Sequence, residues 1–104
     1  RFDLVLLGIG KDGHTASLFP SSPALEAQDR DFVAVDVPGR GWRLTATPAL
    51  LSRANHTLFL VSGARKAEIL ADILTDTCDL PAARVAREAR SPLWLVDRAA
   101  ARLL

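Results

Sequence analysis

The chain has 104 residues, 49% hydrophobic and 24% charged, with a formal net charge of +1. This is the balance of one ordinary globular domain, residues 1–104, large enough to bury roughly two-thirds of its unfolded surface. A near-neutral charge gives no field to recruit nucleic acid or anionic lipid, and no apolar run reaches the roughly 18–20 residues that cross a bilayer.

Phe2–Leu7 is a near-continuous apolar run, which predicts a strand covered on both faces. Arg1 leads straight into it without a cap, a helix or an initiating Met, so the chain reads as a piece of a longer protein. Gly8–Gly13 is a glycine-rich turn, and His14–Phe19 has room only for a short helix before Pro20 and Pro23. Ser21–Asp31 is polar loop with a helical turn at Ala24–Ala27. Phe32–Val37 alternates as a strand and ends at Pro38-Gly39, and Arg43–Ala46 is a short extended stretch.

Thr47-Pro48 opens a helix, with Pro at its first position, through Arg53. Thr57–Val61 is a second apolar strand. Ser62-Gly63 opens a helix over Ala64–Thr75 whose Ala67, Leu70, Ile73 and Leu74 share one side. Cys78 is the only cysteine, which excludes an internal disulfide and a CxxC site and predicts a half-buried loop thiol. Pro81 starts a helix through Arg87, Pro92–Val96 is the last strand, and Asp97 caps a terminal helix to Leu103. Strands alternating with helices predict an α/β fold built on a mostly parallel open sheet with flanking helices. With one cysteine and no leader before the first strand, a cytoplasmic location is expected.

Chemistry concentrates at Gly8–Pro20, reading GIGKDGHTASLFP. Glycines let an anion or a sugar approach the backbone, while Asp12 and His14 stand side by side in the same turn. An imidazole can take and return a proton near neutral pH. A lone histidine is usually a surface or capping residue, but the company of Asp12, Thr15 and Ser17 favours a functional one. Asp12 serves equally well as a turn former. His56 has no such company and reads as an ordinary surface residue.

Gly8-x-Gly10-x-x-Gly13, with Asp36 about 20 residues on, also matches a dinucleotide fingerprint. That fingerprint needs a long packed helix after the third glycine, which the prolines at 20 and 23 forbid, so Asp36 reads as a solvated strand-end carboxylate. Lys66 stands in the first turn of a helix leaving a strand, where backbone N–H groups favour an anion. Arg43, flanked by Thr45 and Thr47, offers guanidinium and hydroxyl groups to a phosphate. Arg84, Arg87 and Arg90 recur every third residue as a solvated helix face, and Trp42 and Trp94 read as core or rim packing.

The string Gly8-x-Gly10-x-Asp12-Gly13-His14-Thr15-Ala16-Ser17-Leu18-Phe19-Pro20 resembles the signature of the 6-phosphogluconolactonases. Arg43-Leu44-Thr45, Pro48-Ala49-Leu50, Leu58–Gly63 with Lys66-Ala67, and Leu93-Trp94 with Asp97 extend the likeness along essentially the whole chain. The related glucosamine-6-phosphate deaminases share Asp-Gly-His but continue with Ile-Ala-Phe-Asn-Glu-Pro, where this chain has Thr15–Pro20. The resemblance implies a Rossmann-like α/β sheet, here partial and corresponding to the C-terminal half of the family fold. It implies hydrolysis of 6-phospho-D-glucono-1,5-lactone, a small sugar-phosphate partner, and neither metal nor organic cofactor.

By the same resemblance His14 is the general base and Asp12 orients it. Gly10 and Gly13 present turn N–H groups to the oxyanion, and Arg43 and Lys66 bind phosphate. Family members are about twice as long, and their N-terminal half carries a Ser-Gly-Gly-type phosphate loop and an Asp-Glu-Arg segment that do not occur here. The expected consequences are an exposed sheet edge open to pairing, an unspecified oligomeric state, and a site that holds the base yet binds substrate weakly. A non-catalytic sugar-phosphate-binding role and a deaminase-like isomerase are the alternatives.

Overall fold

In a computed structural model describing residues 1–104, strand β1 (Leu4–Leu7) pairs in parallel with β4 (His56–Val61), which pairs in parallel with β5 (Pro92–Val96). The sheet order is β1-β4-β5, so every connection crosses over the sheet, as parallel strands require. Residues 8–55 make the β1–β4 connection, and the β4–β5 crossover is supplied by helices α2 (Ala67–Ile73) and α3 (Pro81–Glu88). They share a core with the inner side of the sheet, where Phe59 and Val61 meet Ile69, Leu70, Ile73, Ala82, Ala83 and Val85. Phe59 and its register partner Trp94 stack with centroids 4.1 Å apart. Full burial of a side chain as large as Phe59 favours folding by about 1.5–3 kcal/mol.

The other face of this sheet departs from expectation. The apolar run of β1 predicted burial on both sides, but Leu4, Leu6, Leu60, Leu93 and Leu95 are all exposed. The period of two puts Val5 and Leu7 on the inner side and Leu4 and Leu6 on the outer, and no helix of this chain covers the outer side.

The sheet is not the only one. Strands β2 (Phe32–Val37) and β3 (Gly41–Ala46) form a separate antiparallel hairpin, in register from Phe32↔Ala46 to Val37↔Gly41. Its turn closes with Arg40 N–H donating to the Val37 carbonyl at 2.8 Å, and Gly39 and Gly41 take positive φ, which glycine allows without strain. Val35, Val37 and Thr45 face inward, while Trp42 and Leu44 project into solvent. Trp42 is therefore not a packing residue in this chain, whereas Trp94 is.

Helix α1 (Pro48–Ser52) begins as expected, with Thr47 Oγ1 accepting from Leu50 N–H at 3.2 Å and Pro at the first position. The predicted helix at Ala64–Thr75 divides into a 3-10 turn (Ala64–Lys66) and α2, and Leu74 falls outside it, exposed. Ala67, Leu70 and Ile73 face the core as the spacing requires. After β5 the chain makes only turns. Asp97 Oδ1 still accepts from Ala100 N–H at 2.9 Å, and Ala100 is fully buried. The same carboxylate also accepts from Gly63 N–H across the sheet, which holds it between two segments rather than at a regular helix start.

Candidate active site

The segment after β1 is a hydrogen-bonded turn and not the short helix predicted for His14–Phe19. Thr15 donates its hydroxyl back to the Gly8 carbonyl at 2.8 Å, and Ser17 N–H donates to Thr45 Oγ1 on β3 at 3.0 Å. Ala16 takes φ +52°, which interrupts any right-handed helix. The Ser17 N–H thus takes a partner 28 residues away, and its i−4 carbonyl, Gly13 O, accepts from Ala82 N–H instead. Thr45 donates its own hydroxyl to the Ala46 carbonyl at 2.9 Å and is buried, so it braces the turn and is not offered to a phosphate. Thr47 is buried likewise, donating to the Arg30 carbonyl at 2.6 Å.

Both glycines act through their lack of a side chain. A Cβ on Gly10 would lie 2.0 Å from His14 Cε1, so the imidazole rests directly against that backbone. A Cβ on Gly13, which has φ +85°, would meet Leu80 at 2.8 Å, where the turn docks against the start of α3 and Gly13 O accepts from Ala82 N–H at 2.9 Å. Their N–H groups are already engaged: Gly10 donates to the His14 carbonyl at 2.9 Å and Gly13 to the Gly10 carbonyl at 3.0 Å. Neither is free to receive an oxyanion, and steric clearance is what these two positions provide.

His14 Nδ1 lies 2.6 Å from Asp12 Oδ1, and the same oxygen accepts from His14 N–H at 3.1 Å. Partial burial opposes ionisation of Asp12, but the hydrogen bonds from the His14 ring and backbone outweigh it and hold the carboxyl below the usual carboxylate range. With an ionised acceptor at Nδ1, the neutral imidazole carries its proton there and leaves Nε2 as the basic nitrogen. The ring is also stacked on Phe19, centroids 4.3 Å apart.

Lys66 reaches the same turn, its Nζ donating to the Ile9 carbonyl. Arg43 shares the inner face of β3 with Thr45, the residue that touches the turn, and its exposed guanidinium has no hydrogen-bond or ion-pair partner in the chain. The tertiary structure thus gathers Asp12, His14, Gly10, Gly13 and Lys66 at one turn, with Arg43 on the adjoining hairpin. The roles of Phe19 and Thr45 went unread in sequence, because a ring two turns on and a threonine on another strand carry no local signal. The site is open: none of the five main clefts, the largest 510 Å³ between Pro20 and Arg84, is lined by any of these six residues. No three His, Cys, Asp or Glu side chains converge as a metal-holding group.

A family model described as glucosamine-6-phosphate isomerases/6-phosphogluconolactonase matches residues 1–94. The chain belongs to that family. The 6-phosphogluconolactonase of Synechocystis is 44% identical over 101 residues, covering 95% of this chain and 42% of the relative. The human 6-phosphogluconolactonase is 41% identical over 107 residues, covering 99% of this chain and 42% of its own length. Among solved structures, the 6-phosphogluconolactonase from Trypanosoma cruzi superposes with a TM-score of 0.85 at 34% identity, over 99% of this chain and 41% of that one. A monomeric glucosamine-6-phosphate deaminase shares the fold, with a TM-score of 0.78 at 24% identity. The chain spans about two-fifths of the length of these lactonase relatives. As in these relatives of the 6-phosphogluconolactonase family, the fold is α/β with a parallel sheet flanked by helices. No helix is long and apolar enough to cross a membrane.

Proposed function

We propose that this chain is the base-bearing part of a 6-phosphogluconolactonase, hydrolysing 6-phospho-D-glucono-1,5-lactone to 6-phosphogluconate. The observation that carries the reading is the Asp12–His14 pair, seated against Gly10 with Nδ1 occupied and Nε2 free. Nε2 takes a proton from water as the water oxygen attacks the lactone carbonyl carbon. The tetrahedral intermediate collapses by breaking the bond to the ring oxygen, and the imidazolium returns its proton to that oxygen. Asp12, ionised throughout, holds the tautomer and stabilises the transient imidazolium. Arg43, unpaired and exposed beside the turn, and Lys66 supply positive charge for the phosphate.

The test is lactone disappearance measured above the spontaneous rate, for the wild-type chain and for His14→Ala. General-base catalysis predicts a loss of about 10²–10⁴-fold in the variant. Equal rates for the two chains overturn the reading. Arg43→Ala and Lys66→Ala are expected to raise KM more than they lower kcat. A second reading, sugar-phosphate binding without turnover, is favoured by the openness of the site, which no main cleft encloses. Calorimetric binding of 6-phosphogluconate by a chain that does not accelerate hydrolysis would select it, and ammonia release from glucosamine 6-phosphate would select a deaminase.

A further inference from the structure

The contact that neither the motif nor the proposed chemistry explains is the stack between His14 and Phe19. The rings lie 4.3 Å apart between centroids and 27° apart in plane. The hydrogen bond from Nδ1 to Asp12 restrains rotation of the imidazole about Cβ–Cγ, but its acceptor is a half-exposed carboxylate, so that bond by itself holds the ring loosely. Gly10 lies against the Cε1 edge, close enough that a Cβ there would meet Cε1 at 2.0 Å and Nδ1 at 2.1 Å. That edge contact limits how far the ring can sink, not how it rotates. A flat aromatic face adds the restraint that favours one plane over its neighbours.

Phe19 is itself held from two sides. It packs against the core cluster, and its carbonyl accepts from Ser22 N–H at 3.0 Å. At the tip of the β2–β3 hairpin, the Arg40 guanidinium carbon lies 5.6 Å from the Phe19 ring centroid, within cation–π range. A ring with only a packing role needs neither an imidazole nor a guanidinium against its face.

We propose that Phe19 is a positioning residue whose ring sets the plane of the His14 imidazole and so the direction in which Nε2 points. The proposal rests on the general-base reading for its catalytic consequence, but ring placement is measurable without substrate. In the full 104-residue chain, the NOE from His14 Hε1 to Gly10 Hα reports the ring plane, and the ring ¹⁵N shifts report the tautomer.

Phe19→Leu is expected to weaken that NOE several-fold and to mix the tautomers, while the Gly8–Thr15 amide shifts stay in place. Phe19→Tyr, which keeps the face, is expected to preserve both signals. If Phe19→Leu does not fold, Phe19→Met fills the same volume without a flat face and is read in the same way. A Leu or Met variant with the wild-type NOE and tautomer overturns the proposal, and so does a folded Tyr variant that loses them. In the lactone assay the Leu variant is expected to lose about 10²-fold in kcat with KM little changed. A wild-type chain without turnover removes the general-base reading and leaves the measured ring placement to decide this one.

Discussion

The Gly8–Leu18 turn follows directly on β1, yet it and the outer face of the β1-β4-β5 sheet are ordered by different forces. The turn has no regular secondary structure, yet Ile9, Gly10, Gly13, Thr15 and Leu18 are buried, and the Gly10, Gly13 and Ser17 N–H groups and the Thr15 hydroxyl are paired. Its shape comes from directional hydrogen bonds and from the space two glycines leave for His14 and Leu80. The sheet has a complete backbone ladder, but only its inner face is packed. Regular structure is thus no guide to which part of this molecule is finished: the irregular segment is closed on itself, and the regular one keeps a row of leucines in water.

The comparison breaks most severely at the inner face of the sheet. Phe59→Ala removes a fully buried ring stacked on Trp94 and is expected to cost about 3–5 kcal/mol. A shift of the guanidinium midpoint checks it, and the turn should melt with the sheet because Leu18 and Phe59 belong to one cluster. Gly10→Ala tests the turn alone. Its Cβ would fall on the His14 ring, so the imidazole must swing out, with about 1–3 kcal/mol of destabilisation and about 10²-fold less lactone turnover. A thermal melt together with the assay separates the two effects, and full activity in this variant would show that the ring needs no clearance there.

A smaller effect belongs to Asp12. Because its folded pKa is lowered, its stabilising interaction is present above the ordinary carboxylate range and is lost as pH falls through that lowered value. Carbonyl ¹³C titration should place the Asp12 midpoint below that of a free aspartate, and His14→Ala should move it back up. The smallest change is expected on the outer face. Leu93→Thr removes an exposed side chain and should alter stability by no more than about 0.5 kcal/mol, while reducing the binding of an apolar dye such as ANS. A large destabilisation there would mean that the face is covered in solution.

Much of this was legible locally. The apolar runs Phe2–Leu7, Thr57–Val61 and Pro92–Val96 became strands over Leu4–Leu7, His56–Val61 and Pro92–Val96, and the prolines at 48 and 81 opened helices. The Asp-Gly-His string marked the turn, because small and polar residues after a buried strand have few conformations to adopt. What escaped was set by distant partners. The hairpin depends on Val35 meeting Arg43 across a turn, and the helix predicted at His14–Phe19 lost its bonds to Gly8 and Thr45. Leu74 kept an apolar side chain but fell beyond the helix that would have buried it.

By itself the sequence determined where the strands run and where the proline-led helices begin, and which chemical groups stand in the turn, since those follow from local sterics and from the period of two residues. Tertiary structure alone decided that Gly10 and Gly13 provide space and not N–H groups, and that Thr45 braces the turn rather than a ligand. It also brought Lys66 to the Ile9 carbonyl and laid the imidazole on Phe19. Each of those outcomes is a competition between partners far apart in the chain, and only the fold brings the competitors together.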